Sequence, residues 1–88
     1  MKYIFIGNRK FVLEEMLKRD IDVTIFVIKD THLQRDTLLE GISYTIIDTK
    51  KQLLELLDSL TFDVLISNGC PYILPISKMK KKIFLFVF

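Results

Sequence analysis

The chain has 88 residues and a formal net charge of +2; half of its residues are hydrophobic and 27% are charged. Such a length allows one small domain, and such a composition excludes a disordered polar chain. So small a net charge gives no ground for a nucleic-acid partner, and DNA is not expected.

One cysteine, Cys70, and one histidine, His32, are too few for a structural zinc site and exclude an internal disulfide. A reducing cytoplasm is therefore the expected location. The apolar run from Ile83 to Phe88 falls far short of the roughly 20 residues that a membrane helix needs. Met1-Lys2 is followed by only a short apolar stretch before Gly7, which does not make a signal peptide. No membrane partner is expected.

In chain order, Tyr3-Ile4-Phe5-Ile6 is apolar throughout and ends at Gly7. Continuous apolar character without alternation predicts a strand buried on both faces, as in a parallel sheet. Asn8 is placed to cap the next helix, whose apolar stripe is Leu13, Met16 and Leu17, with Glu14, Glu15, Lys18 and Arg19 outside it. Val23 to Ile28 is the second strand, rich in β-branched residues. Residues 29–41 are polar. Thr31-His32-Leu33-Gln34 has capping-box spacing and predicts a short helix or an ordered loop.

Ser43 to Ile47 is the third strand. Thr49-Lys50-Lys51-Gln52 is a second capping box and opens a helix with Leu53, Leu56, Leu57 and Leu60 on one face. Val64-Leu65-Ile66 is the fourth strand. Gly69, Pro71 and Pro75 then forbid regular helix. One helical turn is expected within Ile76 to Lys82, and Ile83 to Phe88 is the fifth strand.

Strands alternating with helices make this an α/β chain: a Rossmann-like parallel sheet of about five strands, in the expected order 3-2-1-4-5, forming a single domain over residues 1–88. Strands one and four would then be neighbours where the winding direction reverses. Ligands of open α/β sheets bind at the carboxyl ends of the strands at such a point. The loops concerned are Gly7-Asn8-Arg9-Lys10 and Ser67 to Pro75.

Several motifs carry more than one reading. Gly7-Asn8-Arg9-Lys10 is either a phosphate-binding turn, with backbone amides and two cations, or a tight strand-to-helix connection. It contains neither a dinucleotide fingerprint nor a P-loop. Cys70 is either a nucleophile or a small space-filling residue, and nothing near it in sequence would lower its pKa. His32 is expected to be exposed. Asp22, Asp30, Asp36, Asp48 and Asp63 stand at element ends, where turns and caps account for them. Lys78, Lys80, Lys81 and Lys82 read as a solvated helix end or turn, or else as a phosphate or membrane contact. Pro71 and Pro75 bracket Tyr72-Ile73-Leu74, a stiff segment whose backbone groups suit a flat heterocycle, or an ordinary connection.

Met1-Lys2-Tyr3-Ile4-Phe5-Ile6-Gly7-Asn8-Arg9-Lys10-Phe11 resembles the opening of the methionyl-tRNA and sugar N-formyltransferases: a strand, a Gly, three variable residues and a Phe. Asp63 to Pro75, ending in Ile73-Leu74-Pro75, resembles that family's fourth strand and folate loop. The match covers the front part of the family's catalytic domain. It implies 10-formyltetrahydrofolate as cofactor, with Cys70, Tyr72, Ile73 and Leu74 lining its pocket. It also implies an amine acceptor on a sugar nucleotide or an aminoacyl-tRNA, near Gly7, Asn8 and Arg9.

The resemblance breaks at the fifth strand. The family's next strand carries an Asn-x-His motif that polarises the formyl carbonyl and handles the proton, and a later Asp assists. Here Phe86 stands in place of the Asn and Phe88 in place of the His. No catalytic residue is assigned. The expectation is a truncated or frameshifted N-terminal part of a formyltransferase, inactive alone, with a fifth strand prone to self-association. The alternatives are a small folate- or nucleotide-binding module, and one half of a split enzyme that pairs with a partner chain.

Overall fold

The computed structural model describes residues 2–72 and the backbone of residues 83–87. Ile73, Leu74, Pro75, the helical turn expected over 76–82 with its lysines, and Phe88 lie outside the described residues. The elements are β1 (Tyr3–Gly7), α1 (Phe11–Lys18), β2 (Val23–Ile28), β3 (Thr45–Ile47), α2 (Lys50–Ser59), β4 (Val64–Asn68) and β5 (Ile83–Val87), with a 3-10 turn at Thr37–Leu39. The fold is α/β, and its sheet is parallel throughout, in the order β3-β2-β1-β4, as the alternation of elements predicts. The backbone of β5 lies beside β4, with Phe86 opposite Ser67 and Val87 opposite Asn68.

The path of the chain decides which face each helix covers. From β1 to β2 to β3 the chain steps in one direction, so right-handed crossovers put α1 and the 29–41 loop on one face. From β3 it returns past β2 and β1 to reach β4, and α2 falls on the other face. The packing follows this division. Leu13 and Met16 of α1 join Phe5, Ile25, Val27, Val64 and Ile66, and the loop adds Leu33 and Leu39. Leu53 and Leu57 of α2 join Ile4, Ile6, Phe26, Ile28, Ile47, Phe62 and Leu65. Each such leucine contributes roughly 1.5–3 kcal/mol through its removal from water.

Local expectations are corrected at several points. Asn8 does not cap α1. The helix starts at Phe11, its N-cap is Lys10, and no side chain caps it. The reason is that Asn8 still follows the sheet, its amide donating to the carbonyl of Asn68 at 3.2 Å. Of the two readings of Thr31 to Gln34, the ordered loop holds and the short helix does not. The segment's side chains build a turn instead: Thr31 Oγ1 donates to the Ile28 carbonyl at 2.7 Å, and Gln34 Oε1 accepts from the Asp30 amide at 2.6 Å. The ordered piece of that loop is the later 3-10 turn, whose Leu38 amide donates to Asp36 Oδ1 at 2.9 Å.

β3 is shorter than expected and β4 longer by Ser67 and Asn68. Leu60 ends α2 as its C-cap and is exposed, so it does not continue the buried stripe. The second capping box holds on one side: Thr49 Oγ1 accepts from the Gln52 amide at 3.2 Å. Gln52 Oε1 reaches one residue further back, accepting from the Asp48 amide at 2.8 Å. Among the described residues, no helix is long and apolar enough to cross a membrane.

Candidate functional site

The carboxyl ends of β1 and β4 are in register, Gly7 opposite Asn68. A β-carbon on Gly7 would overlap the Asn68 carbonyl oxygen, so only glycine permits this approach. Gly69 follows with φ 76°, and a β-carbon there would overlap Asn8 Oδ1 and meet Arg9 Cγ at 2.9 Å. The two strand ends and the Asn8-Arg9 turn therefore close directly on one another.

Asn68 is fully buried, and neither its Nδ2 nor its Oδ1 has a hydrogen-bond partner. Asn8 Oδ1 is buried and unpartnered as well. Buried polar groups are almost always paired, so this concentration of unmatched amide atoms singles out the place. Asn68 was not among the residues that the sequence singled out. Two polar residues after Ile66 read as the chain leaving the sheet, whereas β4 continues through both.

Cys70 and Tyr72 pack against the α2-side core. The Cys70 thiol points to the Tyr72 carbonyl at 3.8 Å. Burial pushes its pKa up, only partly offset by hydrogen bonding with Tyr72 and Ser67, so it is a protonated, space-filling thiol at neutral pH. The Tyr72 hydroxyl donates to the Asp48 carbonyl at 3.5 Å, which fastens the chain leaving β4 to the turn before α2.

An open depression of about 410 Å³ lies at the carboxyl ends of β1 and β2, lined by Asn8, Arg9, Asp30, Thr31, His32 and Arg35. Asn8 and Arg9, two of the residues expected near the acceptor, are among those lining this depression. Gly7, buried at the end of β1, is not among its lining residues. His32 is exposed, as expected, but it shares the depression with Arg9. Sequence reading could not find this pairing, because the loop after β2 is distant in sequence from the turn after β1.

The ion pairs around the depression are selective. Lys10 pairs with Asp36 at 3.2 Å, and Lys29 with Asp48 at 3.2 Å. The Leu38 amide and then Lys10 hold the Asp36 carboxyl below the ordinary carboxylate range. Among the described residues, no carboxylate lies within 4.0 Å of the Arg9 or Arg35 guanidinium. Nor do the described residues hold any group of three or more His, Cys, Asp or Glu side chains able to bind a metal. Comparison with known protein families, curated proteins and solved structures finds no match to this chain.

Proposed function

We propose that the chain is the folate-binding, Rossmann-like unit of a 10-formyltetrahydrofolate-dependent formyltransferase, and that it does not transfer the formyl group by itself. The observation that carries this reading is the buried, doubly unmatched amide of Asn68. It stands at the head of the stretch that resembles the family's folate loop. An unmatched buried amide costs roughly 1–3 kcal/mol. A flat heterocycle with an acceptor and a donor side by side would satisfy both of its atoms. Asn68 would hold that edge, and Cys70, Tyr72, Ile73 and Leu74 would line the rest of the pocket.

The bound cofactor supplies the formyl carbon that an amine attacks. The residues of this chain bind and orient, and they do not handle the proton. Phe86 and Phe88 take the places of the resemblance's Asn and His, and a phenyl ring neither polarises a carbonyl nor carries a proton. The amine acceptor, on a sugar nucleotide or an aminoacyl-tRNA, would approach over Gly7, Asn8 and Arg9.

The test is calorimetric titration of the purified chain with 5-formyltetrahydrofolate, a stable relative of the cofactor, beside an assay of formyl transfer to an amino-sugar nucleotide. Saturable binding that Asn68→Leu abolishes, with no transfer, is expected. Absence of binding at millimolar ligand would overturn the folate reading, and turnover by the chain alone would overturn the statement that it does not transfer the formyl group by itself.

A further inference from the structure

We infer that the depression between the β1–α1 turn and the loop after β2 binds a diphosphate group, gripped by Arg9 and Arg35 with His32 between the loops' contributions. This rests on the acceptor reading above, whose Asn8 and Arg9 it shares, and not on folate binding, which is assigned to Asn68 and the residues after it.

Three observations converge. The lining carries two arginines, Arg9 and Arg35, against a single carboxylate, Asp30, with His32 beside them. The two arginines have no ion-pair partner among the described residues, although the neighbouring Lys10 and Lys29 are each neutralised. Asp36, next to Arg35 in sequence, is already engaged by Lys10 and by the Leu38 amide. Two arginines without an ion-pair partner thus line one concavity, at the end of the sheet where α/β proteins take ligands. A planar guanidinium binds phosphate oxygens two at a time, and a pair of them matches a group with two phosphates better than a single anion.

The loop that carries half of the site is held in shape. Asp30 adopts φ 60°, its amide bound by Gln34, and Thr31 is tied back to Ile28. Leu33 and Leu39 anchor the same loop in the α1-side core. Arg9 is braced from below, its stem packed over Gly69. Little ordering of the backbone is then required when the anion arrives, which favours affinity.

The experiment is a titration of the isotope-labelled chain with inorganic pyrophosphate, followed by amide NMR, with sulfate at matched ionic strength as the control. Saturable shifts confined to residues 8–10 and 30–35, with sulfate binding weaker, are expected. Arg35→Gln should weaken pyrophosphate by about tenfold, the usual scale for one charged hydrogen-bonding partner. Lys29→Gln, the same charge change outside the depression, should leave it unchanged. Parallel titrations with UDP and ADP identify the source: tighter binding than pyrophosphate assigns a nucleotide ester, and equal binding assigns the bare diphosphate. Equal shifts with sulfate, shifts spread over the surface, or an Arg35→Glu chain that binds pyrophosphate like the parent would overturn the inference.

Discussion

Gly7 and Asn68 meet backbone to backbone, the α-carbon of one against the carbonyl oxygen of the other, with no space for a side chain between them. The neighbouring Asn8 amide closes the contact by donating to that same carbonyl. Gly7→Ala should push β1 and β4 apart at their carboxyl ends. The expected cost is about 1–3 kcal/mol, as for other overpacked sites. Thermal melting by circular dichroism checks this, and an unchanged midpoint would mean that the strand ends separate freely.

Asn68 predicts the opposite sign. Replacing an unmatched buried amide by an apolar group of similar size removes the desolvation penalty and keeps the packing. Asn68→Leu should raise stability by about 1–2 kcal/mol, read as a higher urea midpoint with the same slope. If the midpoint falls, the amide has a partner in the folded protein and the folate reading loses its main support. A variant that is more stable and no longer binds folate is the pattern expected of a binding residue.

Asp36 makes stability depend on acid. Its carboxyl is held low, first by the Leu38 amide and then by Lys10. A folded-state pKa below the unfolded value gives a contribution that is complete above the ordinary carboxylate range and is lost as pH falls through the folded value. Asp36→Ala should flatten the acid limb of the stability profile and loosen the 3-10 turn. Asp36→Asn keeps an acceptor for the Leu38 amide, so it should cost less. Urea midpoints across the acid range separate the two variants, and equal losses would mean that the Lys10 contact carries the whole effect.

For Cys70, the prediction is inertness. Its thiol pKa is raised by burial, so the thiolate that would react is scarcer than in a free thiol at every pH below the ordinary thiol range. Iodoacetamide should label the folded chain more slowly than the urea-unfolded chain at neutral pH, and the two rates should converge only in strong alkali. Fast labelling of the folded chain would reopen a nucleophilic role.

The centres of β1 and β2 were legible because burial on both faces leaves no polar residue to interrupt them. Ile4-Phe5-Ile6 and Ile25 to Ile28 each read as one apolar run and lie in the core. Thr49 was legible because a cap depends on a local hydrogen bond. Asn8 misled for the same reason. Its local pattern is that of a cap, but a long-range bond to Asn68 wins the competition and delays the helix. The polar end of β4 was hidden because its pairing with Gly7 is a property of the neighbouring strand. The diphosphate site was half legible: Arg9 stands beside a glycine turn, while Arg35 and His32 meet it only through the adjacency of β1 and β2.

The reversal of winding direction between β1 and β4 has one further consequence. Cys70 and Tyr72 belong with the α2 face, whereas the loop bearing His32 and Arg35 is rooted in the α1 face. The loops of the two proposed sites are thus rooted in opposite faces of one sheet, with the tip of β1 between them. Asn8 stands at that tip: it lines the depression on one side and lies against Gly69 on the other. Because one side chain touches both, a change of the Asn8 rotamer that reshapes the depression also alters the packing against Gly69.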